Sequence, residues 1–235
     1  MRLPDEAHTS YPWLVHALAP DFELEDVWAL PTPGRKEDFP HLVEQFVTRG
    51  EPGDFPLPFR ALFALRWQLG RLFGWDEADD GLDERWPSLR ERLPAHLRDA
   101  PRGPDIRAVP CRQVIPEGGS ALGAGRASSR PIFRSVYLTE DEWVAEIANK
   151  TVHGLLHIGW VPSDDGHNAQ MAVLVKPAGC FGRAYLAAIK PFRLAIVYPM
   201  LLDTIGKQWA RTPRIEAWES SVTMSPGTGY SPPAV

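Results

Sequence analysis

Residues 171–209 read MAVLVKPAGCFGRAYLAAIKPFRLAIVYPMLLDTIGKQW, and a change of period inside this stretch sets the fold. Met171, Val173 and Val175 alternate with Ala172 and Leu174, the two-residue period of a strand, until Pro177 and Gly179 break the run. Beyond the break Phe181, Tyr185, Ile189, Phe192, Ile196 and Met200 recur every three or four residues, the spacing of one helix face. A sheet hands the chain to a long helix that lies on it. Pro191 and Pro199 stand inside that helix, where each removes a hydrogen bond and crowds the preceding turn, so two bends are expected.

Upstream, Ile132 to Leu138, Trp143 to Asn149, Val152 to Val161 and Ala169 to Lys176 read as four successive strands, with turns at TED, NK and SDDGHN. They form an antiparallel meander closed by the helix. Trp13 to Leu18 reads as a first short strand and Phe22 to Leu30 as a second extended segment. Phe39 to Thr48 and Pro58 to Phe73 have helical spacing, with Gly74 as a stop, and Leu89 to Leu97 is a short Arg-rich helical piece. The stretch EGGSALGAGRASSR has the composition of a flexible loop. The expectation is one α+β domain over residues 1–210 with a flexible insertion at about 111–131. Residues 211–235, rich in Pro, Ser and Gly, make a poorly ordered tail.

The run P-x-G-x-x-G-R-x-Y over Pro177 to Tyr185, followed by P-F-R and I-V-Y-P, resembles the C-terminal signature of domain of unknown function 2867. Glu142 to Val161 and Asp26 to Pro33 share the resemblance, which spans most of residues 8–209. That family is usually grouped with the SRPBCC helix-grip proteins, among them START lipid-transfer domains, pollen-allergen-type ligand carriers and aromatase/cyclase enzymes of polyketide synthesis. The resemblance implies a helix-grip fold, in which an antiparallel sheet wraps a C-terminal helix around an apolar cavity and two short helices follow the first strand. It carries over no catalytic residue.

With 44% hydrophobic and 23% charged residues over 235 positions, the chain has enough apolar mass for one sizeable core. A net charge of -5 with scattered arginines argues against a nucleic-acid partner. The N-terminus has no continuous apolar region of signal-peptide type, and Lys190, Arg193 and Asp203 interrupt the C-terminal helix, so no membrane span is expected. The two cysteines, Cys111 and Cys180, fit a reducing cytoplasm better than a disulfide framework. No phosphate loop, nucleophile elbow or paired cysteine ligands occur, and no cofactor is expected. Nothing in the sequence fixes an oligomeric state.

The most chemical motif is His153-Gly-Leu-Leu-His157. On a helix the two imidazoles would share a metal, but the β-branched context favours a strand, on which they share a face roughly 13 Å apart. No shared metal is expected. In this strand Val152, Leu156, Ile158 and Trp160 are more apolar than Thr151, His153, Leu155 and His157. Two readings stay open: the histidines lie on the outer face of the sheet, or they line the ligand cavity. On the cavity reading His153, His157, Glu146 and Tyr137 would supply acid and base groups. If Glu146 faced inward, desolvation would raise its pKa. Arg134 and Tyr137 would point to opposite faces of a regular strand, so only one of them serves that cavity. Trp143, Asn149, Trp160, Met171, Val173, Tyr185, Ile189 and Phe192 would line it.

The expected partner is a hydrophobic small molecule. As an enzyme the protein would fold a polyketide-like substrate and catalyse cofactor-free cyclisation, dehydration or isomerisation. As a carrier it would need the cavity but no convergent titratable groups. The enzyme reading rests on the density of titratable residues between Tyr137 and His157.

Overall fold

The computed structural model describes residues 1–47, 86–107, 131–149 and 151–211. The expected helix Pro58 to Phe73 lies outside these residues, as do the tail beyond Arg211 and the insertion up to Arg130. Seven antiparallel strands form one open sheet: β1 (Arg2–Leu3), β2 (Glu23–Ala29), β3 (Ile106–Arg107), β4 (Pro131–Leu138), β5 (Glu142–Ala148), β6 (Val152–Ser163) and β7 (Gly166–Pro177). Their order is β1-β2-β7-β6-β5-β4-β3, so β4 to β7 form the expected meander and β2 pairs with its far end.

Each face of the sheet has its own core. Trp143, Ala145, Ile158, Trp160 and Met171 pack with the helix Phe39–Val47 and with Tyr198, Ile205 and Trp209 of the C-terminal helix. The opposite face carries Val144, Leu155, Ala172 and Leu174, which meet Trp13, Val15, Leu18, Phe22, Leu89 and Leu93 of a covering layer. That cover is built of short pieces: helices Glu6–Thr9, Leu14–Leu18 and Ala95–Arg98 and a 3-10 turn Leu89–Arg92. Trp13 to Leu18 is thus not the expected strand. Val15 and Leu18, three apart, bury one face of a single helical turn.

The C-terminal helix starts at Gly179 and runs to Arg211. Gly182 lets it settle on the sheet, because a Cβ there would stand 2.4 Å from the Thr151 carbonyl oxygen. Pro191 and Pro199 stand on either side of one π stretch, Arg193–Val197. At that stretch the Arg193 guanidinium meets Asp26 at 2.6 Å and Glu25 at 3.2 Å, beside an irregularity in β2 between Leu24 and Asp26. Asp26, fully buried, also accepts a hydrogen bond from the Trp28 indole at 3.1 Å. The helix is pinned to the sheet at its middle.

Candidate functional site

Strand alternation sorts the titratable residues. Register pairs Val144 with His157 and Ala148 with His153, so Glu142, Glu146, His153 and His157 all point to the covered face. They form two diagonal Glu–His pairs four residues apart along the same two strands. The odd-numbered histidines of β6 therefore face away from the C-terminal helix, as the outer-face reading required, but they are buried rather than solvated. Tyr137 joins them, and a bulge between Ser135 and Tyr137 puts Arg134, opposite Glu146, on that same face. The expectation that Arg134 and Tyr137 point to opposite faces fails for that reason.

Glu142 is the hub of the first pair. Its Oε1 accepts from the Tyr137 hydroxyl at 2.5 Å and the Val15 N–H at 3.0 Å, and its Oε2 accepts from the Leu14 N–H at 2.9 Å. The carboxylate thereby takes up free N–H groups at the start of helix Leu14–Leu18, where a negative charge is favoured. The Nε2 of His157 lies 3.3 Å from Oε1, out of line for a hydrogen bond. On its other side the Nδ1 of His157 is 3.1 Å from the Nε2 of His8. We assign His8 as donor there, which leaves His157 with its proton on Nε2, turned to the carboxylate. The His16 Nε2 reaches the His8 carbonyl at 3.2 Å, and the ring centroids of His8 and His16 are 4.8 Å apart.

Trp13 roofs this cluster. Gly159 makes room for it, since a Cβ there would fall 2.5 Å from the indole ring. Burial, then the neighbouring His157 and His16, pushes the His8 pKa down to about 3. Burial lowers His157 as well, against the pull of Glu142. Burial opposes the charge of Glu142, but its hydrogen bonds and the adjacent His157 hold it below the usual carboxylate range. Burial and the Glu142 charge raise the Tyr137 phenol. At neutral pH the cluster is one carboxylate, a neutral phenol and two neutral imidazoles.

The second pair repeats the plan. Glu146 accepts from the Ser88 hydroxyl, from the Leu89 N–H at 2.9 Å, and lies 3.2 Å from the His153 Nε2. Again a carboxylate on β5 takes the start of a helical turn in the cover. Phe22 and Trp86 pack on His153, and Lys176 sits over Trp86 while pairing with Asp21 at 2.7 Å.

The four acid and base candidates, His153, His157, Glu146 and Tyr137, are thus brought to one face. The ligand candidates are not with them. Trp143, Trp160 and Met171 are core residues on the helix side, with both indole N–H groups satisfied by Ser135 Oγ and the Arg35 carbonyl. Val173, Tyr185 and Ile189 lie half-buried at the seam between β7 and the helix, packed on Val152, Val175 and Leu186. Phe192 is 52% exposed. Asn149 serves a turn, its Oδ1 accepting from the N–H groups of Thr151 and Val152. The sheet separates the two sets.

Sequence reasoning missed His8, His16, Trp13 and Ser88, because nothing in their local pattern marks them as partners of β5 and β6. Among the described residues no group of three or more metal-ligating side chains is placed to hold an ion. A family model described as "Protein of unknown function (DUF2867)" matches residues 18–200. No curated protein matches, and no solved structure matches.

Proposed function

We propose, for a chain that belongs to the DUF2867 family, the non-catalytic reading: it binds an apolar small molecule through its C-terminal helix and carries or sequesters it. One observation carries this. The helix Gly179–Arg211 is apolar and long enough, by length and composition alone, to cross a membrane, yet only 11% of its most apolar stretch is buried. Its first half buries only Gly182 and Leu186, while Phe181 and Phe192 are 57% and 52% exposed. An apolar surface of this kind needs a function to offset its cost in water. The pin at Arg193 holds this half on β2 and β7 without sinking it, and Val173, Tyr185 and Ile189 offer a half-buried floor. A helix-grip arrangement belongs to this reading, supported by the antiparallel sheet with one long helix across a face.

The acid and base residues favour the same reading, because their polar atoms serve the cover. An enzyme needs titratable groups at the substrate, and here the sheet lies between them and the helix. Titration with an environment-sensitive apolar fluorophore, with native mass spectrometry for stoichiometry, tests the proposal. Saturable one-to-one binding, weakened at least tenfold by Ile189→Ser with Phe192→Ser and unaffected by His153→Gln, is the expected result. Absence of saturable binding overturns it, as does a turnover activity lost in His153→Gln or His157→Gln.

A further inference from the structure

We propose that residues 6–22 are an acid-released cover, latched to the sheet by the pairing of His8 with His157. The latch is a matter of geometry. A hydrogen bond between two imidazole nitrogens 3.1 Å apart requires that one of them carry no proton. When both rings are doubly protonated, N–H faces N–H and the contact becomes repulsive. His8 and His157 are fully buried, so no water screens that repulsion.

The groups facing the pair come from four elements. His16 on helix Leu14–Leu18 stands with its ring centroid 4.8 Å from His8 and opposes a charge there. Glu142 of β5 faces His157, backed by Tyr137 of β4, and Asp141 adds its charge from the turn before β5. These carboxylates favour a first proton on His157. Glu142 also favours a proton on His8, but burial, His157 and His16 outweigh it, and among the described residues the buried Nδ1 of His8 has no hydrogen-bond partner to hold a second proton. Gln170 and Trp13, also packed here, are uncharged, and Gln170 donates to the Ala7 carbonyl at 3.2 Å.

The sign follows from linkage. An opened cover lets His8 titrate at its ordinary 6.5, whereas the closed cover holds it near 3. The closed state is therefore fully favoured above pH 6.5 and loses ground as the pH falls toward 3. At pH 4.5 one refused proton raises the open population about 100-fold. Glu142, held below the usual carboxylate range, keeps most of its charge in the closed cover at pH 4.5, so above that pH the imidazoles dominate the response, and below it the carboxylate adds to the opening with the same sign.

Hydrogen exchange of the full chain between pH 7.5 and 4.5, corrected for intrinsic rates, reads the release. Amides of residues 6–22 are expected to lose protection by at least tenfold while those of β7 and of Tyr198–Arg211 keep theirs. In His8→Phe, which preserves a buried ring and removes one of the two facing imidazoles, protection of the segment is expected to vary with pH less steeply than in the wild type, the remaining slope belonging to His157. Unchanged protection of residues 6–22 in acid overturns the proposal, as does a uniform loss over the whole sheet or a His8→Phe variant with the wild-type slope. If that variant does not fold, imidazole NMR of the wild type decides. His8 is expected to stay neutral until the segment opens, and titration near pH 6.5 with the cover closed refutes the latch.

Discussion

The two faces of the sheet are stabilised by different chemistry, although the same strands supply both. Toward the C-terminal helix β5 and β6 present Trp143, Ala145, Ile158 and Trp160, which pack by volume and apolar contact once the two indole N–H groups are satisfied by Ser135 Oγ and the Arg35 carbonyl. Toward the cover they present Glu142, Glu146, His153 and His157, whose burial is tolerable only because each carboxylate takes up N–H groups of a short helical turn. The face toward the helix accepts it by fit around the Arg193–Asp26 pin. The polar face accepts its cover by address, since Glu142 and Glu146 are each satisfied by a helix start that brings free N–H groups to the right place. This explains why turns as short as Leu14–Leu18 and Leu89–Arg92, too short to be stable alone, hold their form.

The sharpest way to break the contrast is Glu142→Leu, which keeps side-chain bulk and deletes the acceptor. It strands the Leu14 and Val15 N–H groups and the Tyr137 hydroxyl and leaves His157 without its counter-charge. A loss of about 3–5 kcal/mol is expected, the cost of removing one partner from a buried polar network. Chemical denaturation measures it. A loss below about 1 kcal/mol would mean that the cover is held by its apolar contacts and that the carboxylate is incidental.

The same contrast accounts for what could be read from the sequence. β2, β4, β5, β6 and β7 were legible because two-residue alternation is a local signal, and the helix Phe39–Val47 and the C-terminal helix were legible from their three-to-four spacing. The apolar preference of Val152, Leu156, Ile158 and Trp160 pointed correctly to the side of the main helix. What alternation could not tell is that the other side is also covered, because the cover is assembled from fragments with no period of their own. Trp13 to Leu18 looked extended, and its helical turn depends on a cap 128 residues away in sequence, at Glu142. Strict alternation places Arg134 and Tyr137 on opposite faces, and one bulge in β4 reverses that.

Gly159→Ala probes the cover by crowding rather than by charge. The added methyl would sit 2.5 Å from the Trp13 indole and 3.1 Å from His157 Cε1, so the indole must move. A cost of about 1–3 kcal/mol is expected, typical of overpacking. It should appear as reduced protection of residues 6–22 with little change around Tyr198, Ile205 and Trp209. An equal loss on both faces would show that the two cores respond as one, and would merge the regions that the sheet divides.

The smallest expected effect on stability falls on the apolar face, at Phe192. Replacing a core aromatic commonly costs 3–5 kcal/mol, but Phe192 is 52% exposed and follows Pro191, one residue before the Arg193 pin that fixes the helix independently. Phe192→Ser is therefore expected to change unfolding free energy by no more than about 0.5 kcal/mol, the range of surface substitutions. The same change should reduce apolar-probe binding, because it removes apolar area where a ligand would lie beside Ile189. Stability unchanged with binding lost would assign this residue to recognition. A stability loss of several kcal/mol would instead place Phe192 in a packed interface, and the exposed half of the helix would then be a second core rather than a binding surface.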